Sequence, residues 1–345
     1  MSYAPDLWLS ANHVSTRSAK IMGLGTVVED CATVTEMLDK ANLSNLQVEK
    51  RPLVNREGFI HPNTYEMTYV NSDNMRVAFP DATVGNKYYP TQVEENLRIA
   101  DGIMALGGKP ESVVSIKNGV KYFASFKLDE SIKIGGVDQV NMRLIFASSH
   151  DGSIANVFKV IGHQVECANQ INLLLKGRVG AYTVRHTANA QANLVEARRT
   201  LDITSDWITE LETVANELAN VPMTVDQFEV LSHKVYPEPK VTDDIPNKRS
   251  VSKWQNHIDN LREIFNGVGE LGNTNSAIPN TAWTGFSTFV EDIDWYRNSK
   301  DNKNSLQRTQ QTLGYIGNTA RNKTNILSIV QNFVDNEIPK QIPVS

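Results

Sequence analysis

His150 and Asp151, followed within seventeen residues by His163, Glu166 and Cys167, combine hard and soft ligands at a spacing that could enclose one metal ion. Against this, the chain holds no His-x-x-x-His or Cys-x-x-Cys pair, and His and Asp are ordinary turn residues. Cys167 also precedes an apolar run, where a thiol behaves as a small hydrophobe. No bound metal is expected. His163 and Cys167 could share a helical face as a nucleophilic dyad, but no third group is marked to orient them, and Gly-x-Ser-x-Gly is absent. Gly23-Leu24-Gly25 lacks a third glycine and follows no strand, and there is no Gly-x-x-x-x-Gly-Lys-Ser/Thr loop. The sequence therefore predicts neither a catalytic residue nor a cofactor.

Charge is more informative. Thirty-four Lys and Arg against 39 Asp and Glu leave the chain at −5, so no overall basic field draws it to nucleic acid or to an anionic membrane. One window runs the other way. Between Lys159 and Arg199 six bases (Lys159, Lys176, Arg178, Arg185, Arg198, Arg199) face only Glu166 and Glu196. His163 and His186 lie in the same stretch, and Tyr182 offers a ring for base stacking. Clustered Lys and Arg are what phosphate binding requires, although a solvated helix face has the same composition. Lys117, Lys121, Lys127, Lys133 and Arg143, spread over neighbouring strands, extend the basic character. The candidate nucleic-acid contacts are thus Lys159, Lys176, Arg178, Tyr182, Arg185, His186, Arg198 and Arg199.

The elements that must carry these residues follow from periodicity. At about 150 residues per domain, 345 residues suggest two domains. Val27 to Leu43 has a helical spacing of apolar residues, and 46–54 and 64–70 alternate as strands, giving a helix-plus-strands region over 1–90. Thr91 caps a predicted helix that stops at Gly107-Gly108. Ser112–Ile116 and Val120–Leu128 then flank Asn118-Gly119, the strongest short hairpin signal. Strands over 139–147 and 154–160, a helix starting near Gln164 and another over 189–201 complete a central core over 91–200. Residues 201–345 read as mostly helical, with runs from Asp206, Thr224, Val251 and Lys323 and a proline-rich linker near 237–250. Trp207, Trp254, Trp283 and Trp295 serve there as core anchors. The fold class is α+β: a β-rich N-terminal region, a central helix–β-hairpin–strand–helix core and a helical C-terminal portion.

Four runs, taken in order, resemble a known family: Ser149-His150-Asp151-Gly152-Ser153, Val165-Glu166-Cys167-Ala168-Asn169-Gln170, Arg185-His186-Thr187-Ala188-Asn189-Ala190 and Thr281-Ala282-Trp283. They are similar to the phage- and plasmid-encoded family catalogued as a domain of unknown function, number nine-three-two, over about Glu29 to Val334. This chain has Cys167-Ala168-Asn169 where the family pattern is Cys-Asn-Asn. The resemblance implies a mobile-element protein of a bacterial host and carries no activity with it. The order helix, Asn-Gly hairpin, strands, basic helix also resembles single-strand annealing proteins of the RecT and Redβ kind, which need neither ATP nor metal.

The expected function is non-enzymatic binding or annealing of single-stranded DNA in recombination or replication, by a protein that forms homo-oligomers. A phage host-takeover or defence-countering interaction protein without nucleic-acid binding is the alternative, favoured by the acidic runs Glu210-Glu212-Glu217 and Glu291-Asp292-Asp294. A metal-dependent hydrolase around His150, Asp151, His163 and Glu166 is the third reading. Two cysteines are too few for a disulfide framework, and no window approaches ~18 consecutive apolar residues. A cytoplasmic protein with no membrane partner is expected.

Overall fold

The computed structural model describes residues 26–44, 46–71, 73–97, 104, 108–164, 170–171, 173, 175, 181–186, 197–240, 248–267, 278–296 and 319–338. The elements are β1 (Thr26–Val27), α1 (Val34–Lys40), β2 (Gln47–Val54), β3 (Ile60–Val70), β4 (Arg76–Gly85), α2 (Val93–Leu97), β5 (Lys109–Ile116), β6 (Lys121–Ile134), β7 (Asp138–Ser149), β8 (Asn156–Gln164), β9 (Gln170–Ile171), β10 (Ala181–Val184), α3 (Ala197–Ala219), α4 (Val225–Val235), α5 (Lys248–Phe265), α6 (Ala282–Glu291) and α7 (Thr319–Glu337). A π-helical turn, Asp292–Tyr296, extends α6. The class is α+β, with two antiparallel sheets in the first half and helices in the second.

One sheet runs β1-β5-β6-β7-β8-β10, with β9 also pairing β8; the other is β2-β3-β4. The predicted Asn-Gly hairpin is present. Val120 N donates to Lys117 O, and both central residues, Asn118 (φ 56°) and Gly119 (φ 94°), are left-handed, as a type I′ turn requires. Lys117 is left-handed too (φ 50°), so pairing resumes only at Ile116 and Lys121.

Several expected elements change. The helix read over Val27–Leu43 is confined to α1, because Thr33 caps it by accepting from Glu36 N, while Val27 pairs with Ser112 in β1. β4 is a strand that the sequence reading does not mark, because it has no clean alternation: Pro80 interrupts it, and Asp81 is left-handed where the β3–β4 register slips. The helix expected from Gln164 is displaced where the residues are described. Gln164 ends β8, and Gln170–Ile171 pairs back onto His163 and Gly162. Ile171, Leu173 and Leu175, all buried, follow a two-residue period. The run from Asp206 and the end of the 189–201 helix are one 23-residue helix, α3. α6 has no polar side to advertise it, since all ten of its residues are buried.

The chain divides into two compact units that alternate along the sequence. The first comprises 1–130, 142–161 and 178–207; the second comprises 131–141, 162–177 and 208–345. In the first, Val48, Met67, Phe79, Ala82, Val84 and Val120 form a core beneath the three-stranded sheet. In the second, Phe228 stacks on Phe265 with centroids 4.2 Å apart and meets Phe289 at 5.3 Å. A Cβ on Gly285 would come within 3.0 Å of Met223 Sδ, so α6 packs there at glycine distance.

Candidate functional site

Ser149 ends β7, and the four residues after it build a closed turn. Ser149 Oγ accepts from Ile154 N at 2.9 Å and donates to Ile154 O at 3.1 Å. Asp151 Oδ1 accepts from Ser153 N at 2.9 Å and from Ser153 Oγ at 2.6 Å, across a left-handed Gly152 (φ 73°). Burial pushes the Asp151 carboxyl up, but the bonds from Ser153 and Ser149 and the Lys121 ammonium 3.7 Å away together hold it below its ordinary value.

His150 points inward. It is fully buried, its ring 5.0 Å from Phe79 and 5.4 Å from Tyr122, and its backbone N–H donates to Val120 O at 2.7 Å. Neither ring nitrogen has a hydrogen-bond partner among the described residues. Burial, reinforced by nearby His186 and opposed by Asp151, pulls its pKa down to about 3, so the ring is neutral near pH 7.

His186, thirty-six positions further on, joins the same cluster. Its Nε2 lies 3.0 Å from Ile154 O, which can only accept, so Nε2 carries the proton and Nδ1 accepts from Thr91 Oγ1 at 3.2 Å. Thr91 in turn accepts from Asn96 Nδ2 at 2.8 Å, and that amide also reaches Tyr122 Oη at 2.6 Å. Asn156 Nδ2 donates to Asn96 Oδ1 at 3.3 Å while its Oδ1 accepts from Ser148 Oγ at 2.6 Å. Tyr88 stacks on His186 at 4.9 Å and donates its hydroxyl to Ser149 O at 2.9 Å. Burial pushes the Tyr122 phenol up to about 12 and the Tyr88 phenol higher still. The first and third of the family-like runs therefore meet in one buried polar network.

A family model described as Domain of unknown function (DUF932) matches residues 81–313. The chain belongs to that family. The DUF932 match starts within β4 and is narrower than the stretch from Glu29 to Val334 over which the sequence resemblance runs. No curated protein and no solved structure matches the chain.

Of the predicted DNA contacts inside the DUF932 segment, Lys159 is buried and engaged, and His186 spends both ring nitrogens on the protein. A phosphate would have to displace those partners to reach either. Arg185 is exposed, directly after β10, the last strand of its sheet among those described. Tyr182 sits on β10 in register with Phe158, and Ala181 pairs with Lys159. Arg198 and Arg199 stand in the first turn of α3, while Lys176 and Arg178 lie outside the described residues. Among the other bases, Lys117 pairs with Asp81, Lys121 with Asp151 and Arg143 with Glu111; Lys127 and Lys133 are exposed.

For the metal reading, Glu166 and Cys167 lie outside the described residues, and His163 belongs to the second unit. Among the described residues no group of three or more His, Cys, Asp or Glu side chains could hold an ion. No described helix is long and apolar enough to cross a membrane.

The second unit holds polar groups that the sequence alone places on the surface. Glu291, Asp292 and Asp294 are buried at the end of α6 and in the π turn, so they form no exposed acidic run. Lys323 Nζ lies 2.6 Å from Asp294 with both side chains fully buried, and His257 Nε2 is 3.0 Å from Asp292. Burial lowers the Lys323 pKa against the pull of Asp294. Trp283 of the Thr-Ala-Trp run donates to Asp138 Oδ2 at 2.9 Å, beside Gln164 Nε2 at 2.8 Å. Nothing local in the sequence signals these bonds, because their partners lie between 26 and 145 positions apart.

Proposed function

We propose that the protein is a non-enzymatic DNA-binding protein of a phage or plasmid, which holds single-stranded DNA during recombination or replication in the bacterial cytoplasm as a homo-oligomer. The observation that carries this reading is exposed Arg185 at the end of an outer strand, within a window of local charge +4 in a chain of −5. Lys176, Arg178 and Tyr182 extend the same stretch of sequence, and Arg198 and Arg199 follow it. Lys159 and His186 are reassigned to the scaffold that holds β10 in place. The likeness to annealing proteins supports the reading through element order alone. Fluorescence anisotropy with a labelled single-stranded oligonucleotide tests it. Removing one phosphate-binding side chain should reduce the slope of log affinity against log salt by about 0.7, so Arg185→Ala should weaken all sequences alike by that signature. Absence of wild-type binding at ~50 mM salt refutes the reading.

A second reading, an interaction protein that counters host functions, is supported by one different feature. The β2–β3 hairpin tip exposes Val54 (51%), Phe59 (67%) and Ile60 (65%), an apolar surface that a protein partner would cover. Co-purification of a host protein lost on Phe59→Ser, with no oligonucleotide binding by wild type, would select it.

A further inference from the structure

Within the second unit, the C-terminal ends of α3 and α7 open onto one cavity of about 840 Å³. The last carbonyls of a helix carry a partial negative charge, whose ordinary complement is a Lys, Arg or His in the last turn. Neither helix has one. Each instead places an acid there, Glu217 on α3 and Asp335 on α7. Both acids line the cavity, are exposed, and have no ion-pair partner among the described residues. One rule of helix chemistry is thus broken at two helix ends that meet, a pattern that a bound cation would offset. The fold shows the same chemistry next door, where Glu337 takes the ammonium of Lys234 at 2.9 Å. The positive end of α4 also borders the cavity, but its capping box engages Thr224 N with Gln227 Oε1 at 2.8 Å and Gln227 N with Thr224 Oγ1 at 3.2 Å. No Lys, Arg or His lines the cavity. Much of the remaining wall is apolar, with Leu218, Val221 and Pro222 on the α3 side and Val334 and Ile338 on the α7 side. A small hydrated metal ion would leave that hydrocarbon uncovered, whereas an organic cation with an alkyl body covers it.

We infer that this cavity binds a linear aliphatic polyamine, whose methylene chain lies along the apolar wall and whose ammonium groups meet Glu217 and Asp335. Its volume falls within the range of small-ligand sites, ~300–1,000 Å³. The site does not depend on the DNA reading, since Arg185 and the 176–199 window contribute nothing to it.

The test uses the full chain, freed of nucleic acid, with spermidine against magnesium and sodium chlorides at equal ionic strength. At a spermidine concentration about ten times Kd the folded form gains about elevenfold, which raises Tm by about 4 °C for a unit of this size. Magnesium, which has charge but no alkyl body, should not reproduce the shift. In a series of α,ω-diamines, affinity for the wild type should rise by up to about fourfold for each added methylene that the wall buries. Glu217→Gln with Asp335→Asn changes exposed positions and relieves both helix ends, so the variant should fold, melt no lower than wild type in sodium chloride, and lose the spermidine shift. A wild type that spermidine stabilises no more than magnesium does, a diamine series without the rise, or a double variant that keeps the shift overturns the inference. Absence of the shift together with loss of self-association in the double variant would overturn it in favour of a lysine from a second copy of the chain. Failure of wild type to bind any oligonucleotide would end the DNA reading while leaving the spermidine shift intact.

Discussion

Replacing His150 with Phe should remove a pH dependence of stability that the wild type carries. The folded pKa of about 3 lies below the unfolded 6.5, so between these values the unfolded chain takes up a proton that the folded chain refuses. Stability is therefore full above the unfolded value and falls as the pH drops. Two pH units below neutrality, allowing for partial protonation at pH 7, this group should cost about 2 kcal/mol at ~1.4 kcal/mol per unit. In His150→Phe the ring still stacks between Phe79 and Tyr122, but nothing titrates. His186, whose pKa burial also lowers, remains in both proteins and cancels in the comparison. At pH 7 the variant also escapes the desolvation of two unbonded nitrogens, a gain of ~1–3 kcal/mol, from which the larger Phe ring subtracts a packing cost of similar size. Urea unfolding followed by circular dichroism at pH 7 and pH 5 measures both effects. Equal pH slopes for the two proteins would refute the argument, as would a variant more than ~3 kcal/mol less stable at pH 7, because the native ring would then be making bonds that the Phe ring cannot replace.

Other substitutions test other parts of the fold. Gly119→Val puts a β-branched residue at φ 94°, with Phe79 3.4 Å from its Cβ, and should destabilise by ~2 kcal/mol or more; an unchanged Tm would remove the type I′ turn. Lys323→Met should cost ~3–5 kcal/mol by leaving the Asp294 carboxylate buried, whereas Lys323→Met with Asp294→Leu should recover most of it; thermal melts of the three proteins give the coupling. Trp283→Phe should lose ~1–3 kcal/mol in urea unfolding, since Asp138 Oδ2 then gives up the indole N–H and keeps its bond from Gln164. Gly162→Ala, whose Cβ would fall 2.9 Å from Val140, should lower Tm, and an unperturbed melt would show that the strand can shift to admit it.

Signals that act over a few residues were legible in the sequence. Asn118-Gly119 announced its turn, and the helical run from Thr224 is α4, which opens on a capping box where the side chains of Thr224 and Gln227 each accept from the other's backbone. Signals that need a distant partner were not. His186 reads as a base in a basic window until Thr91, ninety-five positions earlier, and Ile154 occupy its nitrogens. Glu291 to Asp294 read as a solvated acidic run until Lys323 and His257 are brought against them. α6 escaped for a different reason: a helix buried on every side lacks the alternation of polar and apolar faces that reveals the others. The candidate site suffered both failures at once, since its neutral members Asn96, Asn156 and Thr91 resemble any other polar residues in sequence.

The alternation of the two units along the chain also constrains inheritance. Between residues 130 and 208 the backbone changes unit five times, so no single stretch of gene encodes either one. A crossover within that region would exchange β-strand segments of one lineage for those of another inside both units together. Genetic exchange can therefore pass this fold on whole, or trim it at its outer margins, but cannot lend out one half as a cassette.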